Sequence, residues 1–141
     1  MAFLAPFSYT DLDRMEIKDG DASTVAAFPD VADTLARLGA KTIFTDDKSA
    51  ILGVIGCTPT VPGVAEVFVL ASKQQTRHPI AFARCVHEEL SQLCSKYRRI
   101  QAVTDNDEFH RRWITWLGFT EEGILRSYGL RGQDMVMWSL V

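Results

Sequence analysis

One stretch of the sequence decides the fold: Asp105-Asn106-Asp107-Glu108-Phe109-His110-Arg111-Arg112-Trp113-Ile114-Thr115-Trp116-Leu117-Gly118-Phe119, followed by Glu121-Glu122-Gly123. The residues just before it, 100–104, form a short apolar run typical of a strand. Asp105 and Glu108 have the D-x-x-E spacing of a capping box, which predicts the start of a helix. Apolar residues then recur at helical spacing until Gly118, a residue suited to end a helix. The stretch therefore predicts a strand, a capped helix, a glycine stop and a new strand.

The rest of the chain divides into similar short elements. Strands are predicted at residues 2–8, 41–45, 50–57, 65–71, 122–129 and 135–140. A short helix capped by Thr10 and Asp13 is predicted after the first strand, and a second helix begins at Pro29. A long amphipathic helix is predicted over 79–97. Asp19-Gly20-Asp21 is interpreted as a break between elements.

The order of these elements is β-α-α-β-β-β-α-β-α-β-β. A helix between the fourth and fifth strands requires a crossover connection, so these two strands should be parallel neighbours. The sequence therefore predicts an α/β fold, a three-layer α/β/α sandwich built on a mixed sheet. A length of 141 residues predicts that 1–141 form a single domain.

Composition excludes several classes of function. A formal net charge of -3 argues against a general nucleic-acid binder, which needs a concentrated basic surface. No apolar run is long enough for a membrane span, and the first residues lack the pattern of a signal peptide, so a cytoplasmic location is predicted. Cys57, Cys85 and Cys94 are predicted to be buried thiols. The sequence shows no metal-ligand cluster, and no metal is predicted.

The element order, together with the L-G-F-x-x-E-G pattern that begins at Leu117, is similar to the GNAT superfamily of N-acetyltransferases along essentially the whole chain. The resemblance implies acetyl-CoA as the cofactor and a small-molecule or protein amine as the acceptor. It also implies that the backbone amide of Val69 or Leu70 polarises the thioester carbonyl. Asn106 is a further cofactor-binding candidate.

In that family, the loop after the fourth strand has a Q/R-x-x-G-x-G/A pattern and presents backbone amides to the CoA pyrophosphate. The equivalent loop here, 72–81, contains no glycine. A side chain in place of glycine hinders close approach of phosphate, and the charges of Lys73, Arg77 and His78 could compensate for it. Gln75, Arg77 and His78 are the cofactor-binding candidates in this loop. The alternative interpretation is a plain solvated turn.

The catalytic positions of the family are also changed. A tyrosine general acid is commonly found four residues before the glycine of the L-G-F segment, where this chain has Ile114. Tyr128, predicted on the following strand, is the substitute candidate, or an aromatic side chain packed on the sheet. Glu66 is the candidate general base, or a solvated glutamate at a strand edge.

A second resemblance rests on the H-x-R-W-x-x-x-x-G pattern, His110 to Gly118, and on the hairpin that ends with 134–140. It is similar to the GNAT-like proteins of short-tailed bacteriophages, some of which are internal virion or assembly proteins. The resemblance implies a phage or prophage source, host cytoplasm, and an inactive binding module with an assembly or host partner. The tryptophans are expected in the core or at its rim, and an exposed C-terminal strand could pair with a second copy.

Overall fold

The computed structural model describes residues 1–28 and 30–141. The strands are β1 Ala2–Pro6, β2 Lys41–Thr45, β3 Ile51–Val61, β4 Val64–Ala71, β5 Arg99–Asp105, β6 Thr120–Leu125 and β7 Met135–Leu140. The helices are α1 Asp19–Ala27, α2 Val31–Arg37, α3 Pro79–Cys94 and α4 Glu108–Trp116, with 3-10 helices at Tyr9–Asp11 and Lys73–Arg77.

The described strands form one mixed sheet in the order β1-β2-β3-β4-β5-β7-β6. β4 and β5 are parallel neighbours, with Val64, Ala65 and Glu66 opposite Arg99, Ile100 and Gln101. The helix between them, α3, is the predicted crossover. The predicted α/β class, mixed sheet and order of strands and helices are therefore confirmed.

The chain divides into two compact units. The first contains Met1–Cys57 and Val69–Leu90. In it, β1, β2 and β3 pair antiparallel. Its core is aliphatic, and the fully buried side chains include those of Leu35, Ile43, Leu52, Val54, Ile55 and Val86. The prediction of a single domain stays a prediction.

The second unit contains Thr58–Phe68 and Ser91–Val141. In it, β7 lies between β5 and β6 and is antiparallel to both. Ile100 and Val136 are almost completely buried, and the Trp138 indole is buried and donates to Thr104 Oγ1 at 2.9 Å. Because β7 has a partner on each side, the prediction of an exposed C-terminal strand is wrong. β1 and β6 are the edge strands of the described sheet.

The region after β1 differs from its prediction. The predicted helix at Thr10 is only a 3-10 helix, Tyr9–Asp11, and the Ser8 amide donates to Asp11 Oδ2 at 2.9 Å. Asp19-Gly20-Asp21 is the first turn of α1 rather than a break. Acidic side chains at a helix N-terminus interact favourably with the helix dipole, and this stabilisation outweighs the low helix propensity of the single glycine. Pro29 lies outside the described residues.

Three further predictions need correction. The N-cap of α4 is Asp107 rather than Asp105, and it accepts from the His110 amide at 2.8 Å. β6 ends at Leu125, so Tyr128 is not on a strand. Cys94 is exposed and Cys57 is half-buried, so only Cys85 is a buried thiol, and burial raises its pKa.

Gly118 follows α4 with a φ of 98°, which confirms the predicted glycine stop. Within the described ranges, no helix has both the length and the apolar character that a membrane crossing requires.

Candidate functional site

The end of β4 is fixed to β3 by Ser72. The Ser72 side chain is completely buried, its amide donates to the Leu52 carbonyl at 3.0 Å, and its hydroxyl donates to the Ile51 carbonyl at 2.7 Å. Successive residues of a strand direct their backbone groups to opposite edges. The backbone groups of Ala71 and Lys73 therefore point to the edge of β4 that faces away from β3.

That edge is occupied by another segment of the same chain, residues 16–21, which we call the strap. The Lys18 amide donates to the Ala71 carbonyl at 3.0 Å, and the Lys73 amide donates to the Glu16 carbonyl at 2.7 Å. These two bonds make an antiparallel bridge between Ile17 and Ser72. The strap thus pairs with β4 like a short additional strand.

Side chains of the strap add to this contact. Asp21 Oδ2 accepts from the Ala71 amide at 2.9 Å. Lys73 Nζ lies 3.5 Å from Glu16 Oε1 and 3.6 Å from Asp19 Oδ1. Three carboxylates are therefore held beside the loop that the family resemblance assigns to an anion. The sequence pattern did not predict this contact, because Asp19-Gly20-Asp21 is typical of a break between elements.

The structure distinguishes the two amides predicted to polarise a thioester. Leu70 is two residues before Ser72, so its backbone faces β3, and a Cβ added to Gly53 of β3 would lie 2.7 Å from the Leu70 carbonyl oxygen. Val69 is two residues before Ala71, so its amide points to the edge away from β3. Only Val69 has the direction that the predicted role requires.

The loop 72–81 brings Gln75, Arg77 and His78 together in and after the 3-10 helix Lys73–Arg77. Its backbone amides are largely bonded inside the chain. The Gln74 amide donates to Ser72 Oγ at 3.1 Å, the Gln75 amide to the Ser72 carbonyl at 3.2 Å, and the His78 amide to the Gln75 carbonyl at 3.1 Å. The loop is therefore a self-satisfied turn rather than an open cradle of amides.

Some capacity for an anion remains at the start of α3. Pro79 has no amide hydrogen, and the Phe82 amide donates to the His78 carbonyl at 2.9 Å. The amides of Ile80 and Ala81 precede it in the first turn, where a helix offers them no acceptor and its dipole favours negative charge. Arg77 is exposed, and it makes no ion pair with the residues that the structure describes.

In the second unit, Glu66 belongs to a hydrogen-bonded network. Gln101 lies opposite Glu66 in the β4–β5 register and its Nε2 donates to Glu66 Oε1 at 3.1 Å. Arg99 Nε donates to Gln101 Oε1 at 3.1 Å. Because its oxygen is held by Arg99, the Gln101 amide must present its NH2 group to Glu66.

The network continues across β6 and β7. Arg99 makes two parallel hydrogen bonds of 2.7 Å to Glu122, and Ser139 Oγ donates to the same carboxylate at 2.5 Å. These bonds from Arg99 and Ser139 lower the pKa of Glu122 to about 2, and the Glu122 carboxylate raises the pKa of Arg99. Residues Glu66, Arg99, Gln101, Glu122 and Ser139 form what we call the polar network. The alternation of Arg99 and Gln101 along β5 was the signal that could have revealed it.

The other predicted residues have less favourable surroundings. Ile114 is 4% exposed, so the family's tyrosine position is a core position here. Tyr128 lies in the β6–β7 turn and is 58% exposed. Asn106 Oδ1 accepts from Arg111 Nε at 2.7 Å, so its oxygen serves a local contact.

Asp105, Asp107 and His110 bring their ligand atoms within 4.8 Å of one another, a grouping that the sequence analysis did not identify. Hydrogen bonds account for the arrangement, because His110 Nδ1 lies 2.7 Å from Asp107 Oδ2 and Gln133 Nε2 donates to Asp105 at 3.2 Å. Burial opposes ionisation of Asp107, but the hydrogen bonds from His110 outweigh it and lower the pKa of Asp107.

The tryptophans occupy two environments. Trp138 is buried, whereas Trp116 is 59% exposed and stacks on Trp113 with ring centroids 6.0 Å apart. Trp116 therefore lies at the surface of α4 rather than in the core.

The fold is that of the GNAT acetyltransferases. A GNAT-family acetyltransferase from Bacillus anthracis superposes with a TM-score of 0.76 at 13% identity, covering 99% of this chain and 94% of that one. A spermidine N-acetyltransferase SpeG chimera from Vibrio cholerae and hSSAT gives 0.77 at 14% identity, covering 99% and 95%. A Bacillus subtilis acetyltransferase in complex with CoA gives 0.75 at 16% identity, covering 99% and 98%. No protein-family model and no curated protein sequence matches the chain.

Proposed function

We propose that the protein is an acetyl-CoA-dependent N-acetyltransferase. The observation that carries the proposal is the position of Glu66 on β4, a half-buried carboxylate that accepts a hydrogen bond from Gln101 of β5. Val69 lies further along β4, and its amide is directed to the edge away from β3. One strand then carries a proton acceptor and an oxyanion donor. The whole-length similarity in fold to acetyltransferases supports the proposal.

The chain's own groups divide the reaction between them. Glu66 accepts the proton that the attacking amine loses as its new bond to the acyl carbon forms, and the Val69 amide stabilises the negative charge on the carbonyl oxygen. As the carbon–sulfur bond breaks, the departing thiolate takes a proton from solvent. Acetyl-CoA supplies the activated acetyl group.

Binding of CoA to this chain would depend on positively charged side chains more than on the backbone amides of a glycine-rich loop. Its pyrophosphate would meet Arg77, Lys73 and the first-turn amides of Ile80 and Ala81. The acceptor that suits the site is an amine that carries positive charge on another group, because the polar network contains two carboxylates, Glu66 and Glu122, and one guanidinium. Spermidine, the substrate named for one structural neighbour, is such an amine.

Calorimetric titration of the purified protein with acetyl-CoA tests the proposal. We expect micromolar binding that weakens about tenfold in Arg77→Ser, because one phosphate contact is lost. Arg84→Ser removes another exposed arginine from α3 and should leave the affinity unchanged. Absence of binding at millimolar acetyl-CoA, with the fold intact by circular dichroism, would reject the enzyme.

A second candidate is a catalytically inactive module for virion assembly or host interaction, as the phage resemblance implies. Two observations favour it: Ile114 is a core residue, and the amides of the loop 72–81 are bonded within the chain. The same titration separates the candidates. A folded protein that ignores acetyl-CoA, with no acetyl transfer to any amine of a mixed panel, would support the module.

A further inference from the structure

We infer that the strap is an internal competitor for acyl-CoA, which binds only when residues 16–21 leave the edge of β4. The inference rests on the proposed function and adds a control step to it. The strap occupies backbone groups of residues 71 and 73, partly through its own backbone and partly through the Asp21 carboxylate.

The path of the ligand leads past the strap. A thioester carbonyl at the Val69 amide and a pyrophosphate at the loop 72–81 must be joined by a chain that runs along β4 on its edge away from β3. That edge carries the Ala71 amide, the Ala71 carbonyl and the Lys73 amide, and each is bonded to the strap. The strap and an acyl-CoA cannot bond to these backbone groups at the same time.

None of the side chains of the strap is fully buried. Met15, directly before it, is buried, but Glu16 and Asp19 are exposed and Ile17 is only half-buried. The helix that follows, α1, contains no buried residue. A segment with few buried apolar contacts opens at low free-energy cost, so the strap can leave while Met15 remains in the core.

Displacement would also reverse the charge at the loop. With the strap in place, Glu16 and Asp19 neutralise Lys73, and Asp21 adds a third carboxylate. These groups repel a pyrophosphate. When the strap leaves, the Lys73 ammonium becomes available to the same anion. The strap therefore opposes acyl-CoA by charge as well as by occupancy.

Lys18→Pro removes one strap bond together with the Lys18 side chain. Lys18 has φ -58° and ψ 147°, a backbone conformation that proline adopts, and proline lacks the amide hydrogen that Ala71 accepts. Lys18→Ala is the matched control, because it removes the same side chain and keeps the bond. A second pair is Asp21→Ala against Asp33→Ala, which alters the first turn of α2 instead.

The measurements are hydrogen exchange of the Ala71 and Lys73 amides and titration with acetyl-CoA. We expect Lys18→Pro and Asp21→Ala to accelerate exchange and to bind about tenfold more tightly than wild type, since a larger fraction is open. The control variants should match wild type.

Three results would overturn the inference. Unchanged exchange in both strap variants would show that the strap does not protect this edge. Faster exchange with unchanged micromolar binding would remove the competition but leave the proposed function standing. Faster exchange without any binding of acetyl-CoA would reject the proposed function, and the control step with it.

Discussion

The two halves of β4 have different neighbours. The first half, Val64–Glu66, pairs in parallel with β5, and Glu66 joins the polar network. The second half ends at Ala71, and there and at the following Ser72, β3 bonds to one edge and the strap bonds to the other. A strand's chemistry therefore depends on which segment satisfies its backbone groups, a property that side-chain patterns do not display.

The difference separates two requirements of an acetyltransferase. The first half offers a positioned carboxylate, whereas the second half offers the amide edge along which an acyl-CoA would bind, and that edge is occupied.

The largest expected effect is a loss of turnover when Glu66, in the first half of β4, is substituted. Glu66→Gln removes the proposed proton acceptor but keeps the size of the side chain, so we expect the turnover of the amine acceptor to fall about 100-fold or more. Release of the CoA thiol measures it. Tyr128→Phe is the comparison, and it should cost less than about tenfold, because solvent reaches the exposed phenol and can supply the proton. Equal losses in both variants would contradict the assignment of Glu66.

The next largest effect is on the packing of the second half. A Cβ at position 53 would lie 2.7 Å from the Leu70 carbonyl oxygen and 2.9 Å from the Phe82 ring. We expect Gly53→Ala to lower the free energy of unfolding by about 3 kcal/mol through overpacking. Urea unfolding measures it.

Gly20→Ala is the matched control for Gly53→Ala. A Cβ at position 20, in α1, would have nothing within 4 Å, and alanine favours a helix. This variant should be neutral or stabilised by about 0.5 kcal/mol. A similar loss of stability in both variants would show that close approach at Gly53 is not the cause.

Much of the fold could be predicted from the sequence, because periodicity and turn residues report on burial. β2 and β7 have the predicted bounds, and Gly118 ends α4 as expected. The strap could not be predicted, since it binds through backbone amides and carbonyls that every residue carries. The N-cap was misplaced by two residues, because Asp105 and Asp107 are both good caps and only the end of β5 decides between them.

The site was less predictable than the fold. Glu66 is a candidate from the sequence, but its partners Gln101, Arg99 and Glu122 come from two other strands, β5 and β6, that are distant from it in sequence. Ile114 shows that the family's tyrosine general acid is missing, but it does not indicate which group would replace it. Tertiary neighbours determine such roles, and a single sequence does not contain the register that brings them together.

A smaller effect concerns the buried hydroxyl that ends β4. Ser72→Ala removes the donor to the Ile51 carbonyl and the acceptor of the Gln74 amide, so we expect a loss of about 2 kcal/mol in the free energy of unfolding. Thr76→Ala removes an exposed hydroxyl bonded to the Lys73 carbonyl and should cost less than about 0.5 kcal/mol. Thermal or urea unfolding of both variants would show whether burial makes the difference, and equal costs would contradict it.

The smallest effect is the pH dependence of the polar network. The pKa of Glu122 is lowered to about 2 from an ordinary value of 4.5, first by Arg99 and then by Ser139. A carboxylate whose pKa is depressed by folding stabilises the folded state at any pH above its pKa in the unfolded chain. This contribution is lost as the pH falls from about 4.5 to 2. In a carbon-detected titration of the carboxylates, we expect a pKa of about 2 for Glu122 in the wild type. In Arg99→Leu, this pKa should rise toward 4.5. Arg98→Leu, which loses only a contact to the Pro62 carbonyl, should leave that titration unchanged. If Glu122 titrates normally in the wild type, the Arg99 pair does not form in solution, and the Gln101 amide then has no fixed orientation toward Glu66.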